Sequence, residues 1–364
     1  MKIAIIAHNL YPIREPFEGG LEMMTFLLCQ SLTSQGHIVH LYAHENSDKS
    51  FEVIPIGLKK ESLSLISRFD DVKNFSNVVI DEVIGYTNSM LKIAAGNYDI
   101  VHNHSLHYIP ILIGNSLNVP MITSIHTPQF TFLKLGANEV KSDCNQTFTM
   151  VSKSLAKTWN DLIPHAKIVY NGIDLARWGY VANPTGDHLF WYGRICPEKG
   201  TDQAIQAAIK GKHKIMVAGP ISNQDYYSEK VRPLLKSQFV EYVGHLSHKE
   251  IAPLLQNAKA LLFTSTWDEP YGLTLAESLA CGTPVVAYDV GATREILTED
   301  CGVIIPKNNI SRLIEGIDLA VKLNRADCRK RAENFCSHKQ MVKNYLNLYE
   351  SLVNKPAFKL QKIS

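Results

Sequence analysis

The chain has 364 residues with a formal net charge of +2, and 45% of its residues are hydrophobic. This length exceeds one ordinary hydrophobic core and fits two domains of roughly 150–200 residues each, while the nearly balanced charge argues against a nucleic-acid surface, which needs concentrated Lys and Arg. The seven cysteines form no C-x-x-C pair and no zinc-type spacing, which favours reduced thiols in a cytoplasmic protein.

Short segments rich in β-branched residues alternate with amphipathic segments along the whole chain. In the first half they predict strands at 3–7, 37–42, 100–102, 121–125 and 147–151. In the second half they predict strands at 188–191, 214–217, 240–243, 260–263 and 285–287. Apolar strands separated by helices of about ten to fifteen residues indicate parallel sheets that are covered on both faces.

The pattern restarts near Asp187, after a segment at 171–187 that contains Gly, Pro and Asn and has broken periodicity. We interpret this segment as an interdomain linker and predict an N-terminal domain at 1–178 and a C-terminal domain at 179–338. The predicted fold is α/β, with two doubly wound parallel-sheet domains that face one another. A last amphipathic stretch at 339–353 either caps the second domain or crosses back to the first, and periodicity does not decide between them.

No uninterrupted apolar run approaches the roughly 18 residues of a membrane span, so we expect no transmembrane segment. The apolar run at 3–7 is too short for the core of a signal peptide. The tail at 355–364 carries three lysines with little acid. We interpret this tail as a frayed end, and a peripheral membrane contact stays open.

The segment TSTWDEPYGLTLAESLACGTP, at 264–284, places two carboxylates around a turn that opens a helix. We expect Glu269 in the loop after a strand and Glu277 about two turns into the helix. The free amides at this helix N-terminus favour an anion, and they belong to Gly272, Leu273 and Thr274. A phosphate flanked by hydroxyl-bearing sugars fits this arrangement, which predicts a nucleotide-sugar ligand.

A second segment, WYGRICPEKGTD at 191–202, places two cations between a strand and a helix. Arg194 and Lys199 can converge on a diphosphate there, Arg by bidentate hydrogen bonds and Lys as a point charge. No Asp-x-Asp pair lies on a loop suited to a divalent metal. We therefore predict a metal-independent site without a cofactor, in which these cations and helix ends neutralise the phosphates.

Histidines and glycines mark several other predicted strand ends. His126, in SIHTP, could hydrogen-bond a sugar hydroxyl, while His102 and His104, in VHNHS, are expected to line the acceptor side rather than to bind a metal. Two predicted strands of the second domain end in glycine turns, which either line a pocket for a nucleoside base or are ordinary strand-to-loop connections. These turns contain Gly219 in VAGP, and Gly244 with Leu246 in VGHL. The glycine loop FEGGL, at 17–21, lacks the G-x-G-x-x-G pattern, which argues against a NAD enzyme.

The motifs GRICPEKG, VAGP, VGHLS, DEPYGLTLAESLACGTPVVA and VGATREI, in this order, resemble the donor half of glycosyltransferase family 4, also described as glycosyl transferases group 1. Upstream, FEGGLE, QGHIVHLYA, DIVHNHS, SIHTP, VSKSL and YNGID resemble the acceptor half of the same family. The resemblance spans roughly residues 1–305. It implies the GT-B fold with two Rossmann-like domains, a donor-loaded cleft between them, and a C-terminal helix, at about 339–364, that returns to the first domain.

The resemblance also implies roles for individual residues. Glu269 would contact hydroxyls of the donor sugar, and Glu277 would hold the ribose. Arg194 and Lys199 would clamp the diphosphate, Gly20 would lie near the donor phosphate, and His126 near the transferred sugar. The expected activity is transfer of a hexosyl unit from a nucleotide diphosphate sugar, with UDP-sugar favoured, to an acceptor hydroxyl with retention of anomeric configuration.

Three alternatives keep some of these features. A nucleotide-sugar epimerase of the same fold would convert the donor without an acceptor, and a phosphorylase would carry a lysine for pyridoxal phosphate. A non-catalytic nucleotide-sugar-binding protein would keep the clamp, but it would tend to lose His126 or Glu269, and both are present. The acceptor, which could be a small molecule, a lipid carrier or a glycan, and the oligomeric state are not readable from the sequence.

Overall fold

The computed structural model of the protein describes residues 1–57, 77–140 and 144–354. Contacts divide the chain into two compact units. Among the described residues, the first unit contains those within 1–151 and 156–169 and those at 342–354, and the second contains Ser152–Leu155 and Tyr170–Met341. Each unit is built on one parallel sheet with helices between most of its successive strands, which confirms the predicted α/β fold class.

The first unit contains a seven-stranded sheet with the order β3-β2-β1-β4-β5-β6-β7. Its strands are β1 Lys2–Ile6, β2 Ile38–Ala43, β3 Glu52–Pro55, β4 Ile100–Asn103, β5 Met121–Ile125, β6 Gln146–Met150 and β7 Lys167–Ile168. The described helices of this part of the chain are α1 Gly20–Ser34, α2 Asn77–Ala95, α3 Tyr108–Gly114, α4 Thr131–Asn138 and α5 Lys153–Thr158. The sequence pattern did not predict the edge strands β3 and β7, because they are short and only partly buried.

The second unit contains a six-stranded sheet with the order β10-β9-β8-β11-β12-β13. Its strands are β8 His188–Tyr192, β9 Lys214–Ala218, β10 Val240–Tyr242, β11 Leu261–Phe263, β12 Val285–Tyr288 and β13 Gly302–Ile305. Its α-helices are α6 Thr201–Gly211, α7 Gln224–Tyr226, α8 His248–Asn257, α9 Leu273–Ala280, α10 Thr293–Ile296, α11 Ile310–Ala320 and α12 Arg325–Arg331. Short 3₁₀ segments occur at Pro197–Lys199 and Leu234–Lys236, and π segments at Tyr227–Val231 and Ala332–Cys336.

The segment that the sequence pattern predicts as a linker makes ordered contacts within the second unit. The Ile173 amide donates to the carbonyl of Cys336 at 2.8 Å, and Arg329 Nη1 donates to the carbonyl of Trp178 at 3.0 Å. Residues 170–178, which the sequence pattern places in the first domain, therefore pack with the second unit. The division by contacts falls after Val169.

The last described helix, α13 His338–Val353, contributes to the first unit from Val342 onward. Tyr345 and Tyr349 are 2% and 0% exposed. The Tyr349 hydroxyl hydrogen-bonds His102 Nδ1 at 2.5 Å, and the Tyr345 hydroxyl hydrogen-bonds Ser124 at 3.0 Å. The C-terminal stretch thus returns to the first unit, and its residues 355–364 lie outside the described residues. Within the described ranges, no helix combines the length and the apolar character needed to span a bilayer.

Candidate functional site

The carboxylate segment forms a loop between strand β11 and helix α9. Gly272 precedes the helix with φ +92°, a left-handed conformation that glycine adopts without a steric penalty. The helix begins at Leu273, so its first amides lie where the sequence pattern predicts an anion site. Glu277 is the fifth residue of this helix, a little over one turn from its start, rather than the predicted two turns, because the Pro-Tyr-Gly turn precedes the helix.

Lys199 and Glu269 form an ion pair between Nζ and Oε1. Both side chains are largely buried, with 22% and 11% of their surfaces exposed. The lysine Nζ also lies 5.7 Å from the centre of the Trp267 ring, a distance at which a cation is attracted to an aromatic face. The structure therefore brings together one residue predicted to bind phosphate and one predicted to bind sugar.

The hydroxyl groups that follow strand β11 fix the backbone that carries Lys199. Thr264 Oγ1 contacts the carbonyls of Gly200 and Lys199 at 2.9 and 3.1 Å, and Ser265 Oγ donates to the carbonyl of Glu198 at 3.2 Å. Strands β8 and β11 are neighbours in the sheet, so these bonds join the loops at their carboxyl ends. The sequence pattern missed this scaffold, although the run Thr264, Ser265 and Thr266 at a strand end was a visible signal.

The turn that contains Gly291 supports the backbone of Glu269. The Ala292 amide donates to the Glu269 carbonyl at 3.1 Å, and the Gly291 amide donates to Asp268 Oδ1 at 3.0 Å. Gly291 has φ +51°, and a Cβ at this position would lie 2.2 Å from the Glu269 carbonyl oxygen. The segment GATREI therefore positions Glu269 through backbone contact.

Glu277 is almost fully buried and accepts a hydrogen bond from the hydroxyl of Tyr192, the last residue of strand β8. Burial raises the pKa of Glu277, while the nearby His248 and the Tyr192 hydroxyl act in the opposite direction. Burial and the adjacent carboxylate raise the pKa of Tyr192 well above its usual range. The sequence pattern did not single out Tyr192, because an aromatic residue in a buried strand looks like ordinary core.

Arg194 does not join the Lys199–Glu269 pair. Its side chain is 56% exposed, and its Nη2 lies 3.6 Å from Glu198 Oε1. Lys199 and Arg194 thus follow the same strand but have different environments, the first largely buried and the second solvated. Their convergence on one diphosphate stays a prediction.

The glycines predicted to line a base pocket lie at the ends of strands β9 and β10. The Gly219 amide donates to the Gly244 carbonyl at 2.7 Å, and the Tyr242 hydroxyl donates to the Gly219 carbonyl at 2.9 Å. Gly219 has φ +142°, and a Cβ there would lie 1.8 Å from the Gly193 carbonyl oxygen. Gly219 is therefore required for close backbone packing, and the half-buried Leu246 follows in the next loop.

In the first unit, the glycine loop leads into helix α1, which begins at Gly20 after the extended Gly19. The Glu22 carboxylate lies at this helix N-terminus, where it accepts from the backbone of Gly19 and Glu22 and pairs with His8 Nε2 at 2.8 Å. Burial opposes ionisation of Glu22, but these bonds outweigh it and lower its pKa. The predicted phosphate site near Gly20 thus already contains an internal carboxylate.

The three candidate histidines of the first unit occupy different environments. His102 is fully buried, and its nitrogens hydrogen-bond Tyr349 at 2.5 Å and Ser124 at 2.7 Å. Both ring nitrogens of His102 thus have protein partners, and its acceptor-side role stays a prediction. His104 Nδ1 and His126 Nε2 lie 2.9 Å apart, which brings the second acceptor-side candidate into contact with the predicted catalytic histidine.

The described residues contain no group of three or more side chains arranged to hold a metal ion.

Two family models match the chain in succession. The model described as Glycosyltransferase Family 4 matches residues 18–177, and the model described as Glycosyl transferases group 1 matches residues 173–335. The first matched range contains the three candidate histidines and Gly20, and the second contains Arg194, Lys199, Glu269 and Glu277.

The chain is also similar to characterised and solved glycosyltransferases. The glycogen synthase of Mycobacterium tuberculosis is 26% identical over 60% of this chain, and the match spans 59% of the length of that synthase. A glycosyltransferase from Rickettsia africae has a similar structure, with a TM-score of 0.77, 16% identity, and coverage of 98% of this chain and 99% of the other.

The complex of Anabaena HepE with UDP-glucose superposes with a TM-score of 0.72 at 15% identity, covering 96% of this chain and all of the other. Similarities at this identity show the fold. Because the two family models together extend from residue 18 to residue 335 and the sheets have the Rossmann-like arrangement of the GT-B fold, the chain belongs to the glycosyltransferases of family 4 and group 1.

Proposed function

We propose that the protein transfers a hexosyl unit from a nucleotide diphosphate sugar to an acceptor hydroxyl. The observation that carries the proposal is the largely buried contact of Lys199 with Glu269, in the loop that leads into the N-terminus of helix α9. A cation and helix amides suit a diphosphate, and a carboxylate suits sugar hydroxyls. The complex of HepE with UDP-glucose supports a UDP-sugar as the favoured donor.

Each part of the donor has proposed partners. Glu269 holds the sugar, Glu277 holds the ribose hydroxyls, and His126 contacts the transferred sugar. The diphosphate is held by Arg194, Lys199, Gly20 and the amides of Gly272, Leu273 and Thr274. The base lies against Gly219, Gly244 and Leu246.

The chemistry depends on stabilising a leaving group. Negative charge builds on the diphosphate as the anomeric bond breaks, and preorganised cations and amides favour that state more than the ground state. We propose that this stabilisation is sufficient without a metal ion. Attack from the same face as the departing phosphate, with a phosphate oxygen accepting the acceptor proton, would retain the anomeric configuration.

The test begins with donor identity. Thermal unfolding of the protein is followed with UDP-, GDP- and ADP-linked hexoses, since a ligand that binds only the folded state stabilises it by RT ln(1 + [L]/Kd). We expect a UDP-sugar to give the largest rise in Tm, and transfer to an acceptor to continue in the presence of EDTA. Donor turnover without an acceptor would instead indicate an epimerase, and the absence of stabilisation by any of these donors would refute the proposal.

Removing the Tyr192 hydroxyl tests the proposed ribose contact. In Tyr192→Phe the buried Glu277 carboxylate loses a donor that favours its ionised form, so the pKa of Glu277 rises further above its usual range. Ribose binding needs the ionised carboxylate as an acceptor. We therefore expect roughly tenfold weaker UDP binding at pH 7. As the pH is lowered, the variant should lose its affinity for UDP at a higher pH than the wild type does, because Glu277 becomes protonated sooner.

Calorimetry across a pH series measures this effect, and Tyr180→Phe, at a 40% exposed tyrosine of the same unit, serves as its control. If Tyr192→Phe bound UDP with the wild-type affinity and pH dependence, the proposal that Glu277 binds the ribose would be contradicted.

Arg194→Ala tests the outer part of the diphosphate clamp. The Arg194 side chain is solvated and pairs only loosely with Glu198, so its charge is partly screened. We expect kcat to fall about tenfold, with a larger loss at low salt than at high salt. Initial rates at two ionic strengths measure the effect, and a kcat equal to that of the wild type at both would exclude Arg194 from the clamp.

A further inference from the structure

The contact between His104 and His126 joins the ends of neighbouring strands β4 and β5. His104 is 3% exposed, whereas His126 is half-buried and reachable from solvent. The 2.9 Å separation of His104 Nδ1 and His126 Nε2 is a normal hydrogen-bond length. One of these two nitrogens must therefore carry a proton and the other a lone pair.

Both rings are neutral near pH 7. Burial lowers the pKa of His126 to about 4 and that of His104 well below its usual range, and the neighbouring histidines act in the same direction on His104. A neutral imidazole carries a single N–H. The position of the proton in this bond therefore fixes the tautomer of both rings.

The other nitrogen of His104 decides between the two arrangements. Nε2 of His104 is buried and has no hydrogen-bond partner in the part of the chain that the structure describes. If His126 donated the shared proton, His104 would carry its own proton on Nε2, as a buried N–H without an acceptor. Orphaned buried N–H groups are rarer in folded proteins than under-used acceptors, so the structure favours the proton on His104 Nδ1.

We infer that His104 donates from Nδ1 to Nε2 of His126, so that His126 presents its Nδ1–H to the substrate as a hydrogen-bond donor. His104 is then a positioning residue that sets the tautomer and orientation of His126. Nδ1 of His126 makes no hydrogen bond to any residue that the structure describes, so it is free to bind a ligand oxygen. The assignment of a substrate contact rests on the proposed function, whereas the tautomer does not.

The surroundings hold this pair in place. The His102 ring lies 4.0 Å from that of His104, and His102 is itself fixed by Tyr349 and Ser124. Leu106, two residues after His104, has φ +58°, a conformation that costs a bulky residue about 1–2 kcal/mol. Backbone strain of this kind is concentrated at functional sites, which agrees with a functional role for the loop that contains His104 and Leu106.

Nitrogen-15 spectra of the histidine rings in the full-length protein test the tautomer directly. We expect the His126 ring, identified by the signals lost in His126→Gln, to be protonated at Nδ1 and unprotonated at Nε2. In His104→Leu the constraint is removed, and His126 should shift toward the Nε2–H form that free histidine prefers. An Nε2–H form of His126 in the wild type would overturn the inference.

Transfer assays test the positioning role. We expect His104→Leu to lower kcat roughly tenfold, the effect of one misplaced hydrogen bond, with little change in UDP affinity. His104→Asn should recover most of the rate, because the Asn side-chain amide lies close to the position of Nδ1 and can donate in its place. His165→Asn, at an exposed histidine of the same unit, is the control.

Two outcomes separate this inference from the proposed function. Equal kcat in His104→Leu and the wild type would refute the positioning role and leave the proposed transfer intact. A wild-type protein that transfers no sugar would refute the proposed function, while the ring spectra would still decide the tautomer.

Discussion

Glu269→Ala is expected to lower the rate of sugar transfer by about 10²- to 10³-fold while UDP binding stays nearly unchanged. Glu269 is proposed to contact the sugar, so its loss removes an interaction at the reacting group and leaves the nucleotide contacts in place. The change also leaves Lys199 without its carboxylate partner in a largely buried position. Initial rates with the donor found by thermal unfolding, together with UDP calorimetry, measure the two effects separately.

The ion pair gives this prediction a second test. Lys199→Ala should lower kcat on the order of 10²-fold through lost stabilisation of the leaving diphosphate. Because the two side chains contact each other, their effects should not add, and the double variant should be little worse than Glu269→Ala alone. Lys199→Arg keeps the charge and is the matched control. Near-normal turnover in Glu269→Ala, or full additivity in the double variant, would contradict the proposed joint action.

Gly291→Ala is the second change with a large expected effect, and it acts without removing any functional side chain. The new Cβ would lie 2.2 Å from the carbonyl oxygen and 2.5 Å from the amide nitrogen of Glu269. Because both are backbone atoms, the loop must move, and displacement of a substrate-binding group by about 1 Å can cost roughly 10²-fold in rate. We expect at least that loss of turnover and about 2–4 kcal/mol of unfolding free energy.

Gly36→Ala is the control that separates the cost of the steric clash at Gly291 from the cost of the left-handed backbone conformation. Gly36 also has positive φ, +83°, but no atom lies within 4 Å of the Cβ position. Its substitution should cost only the left-handed conformation, about 1–2 kcal/mol, with transfer retained. Urea unfolding and initial rates for both variants provide the comparison, and equal behaviour of the two variants would show that contact with Glu269 is unimportant.

The sequence predicted the α/β fold because its buried strands are continuous apolar runs that alternate with helices. It also predicted Lys199 and Glu269 as site residues, since charged residues at the ends of parallel strands stand out against apolar segments. It did not predict that these residues contact each other, because 70 positions separate them and only the neighbouring placement of strands β8 and β11 brings them together.

Other features depend on contacts that leave no local signal. Tyr192 looks like a core aromatic until its hydroxyl is seen on Glu277. His102 and His104 lie two positions apart in the same motif, yet one is fixed by Tyr349 from the end of the chain and the other contacts His126. Neighbours that are remote in sequence thus decide which of these two buried histidines contacts His126.

Tyr345 and Tyr349 are buried in the interior of the first unit, but they belong to helix α13, which follows the second unit in the sequence. During synthesis the ribosome makes this helix after the entire second unit. The first unit therefore cannot acquire these two side chains until the second unit has been synthesised, although its own strands are made earlier. A premature stop shortly after Met341 would therefore remove part of the interior of the first unit and leave the second sheet with all its strands.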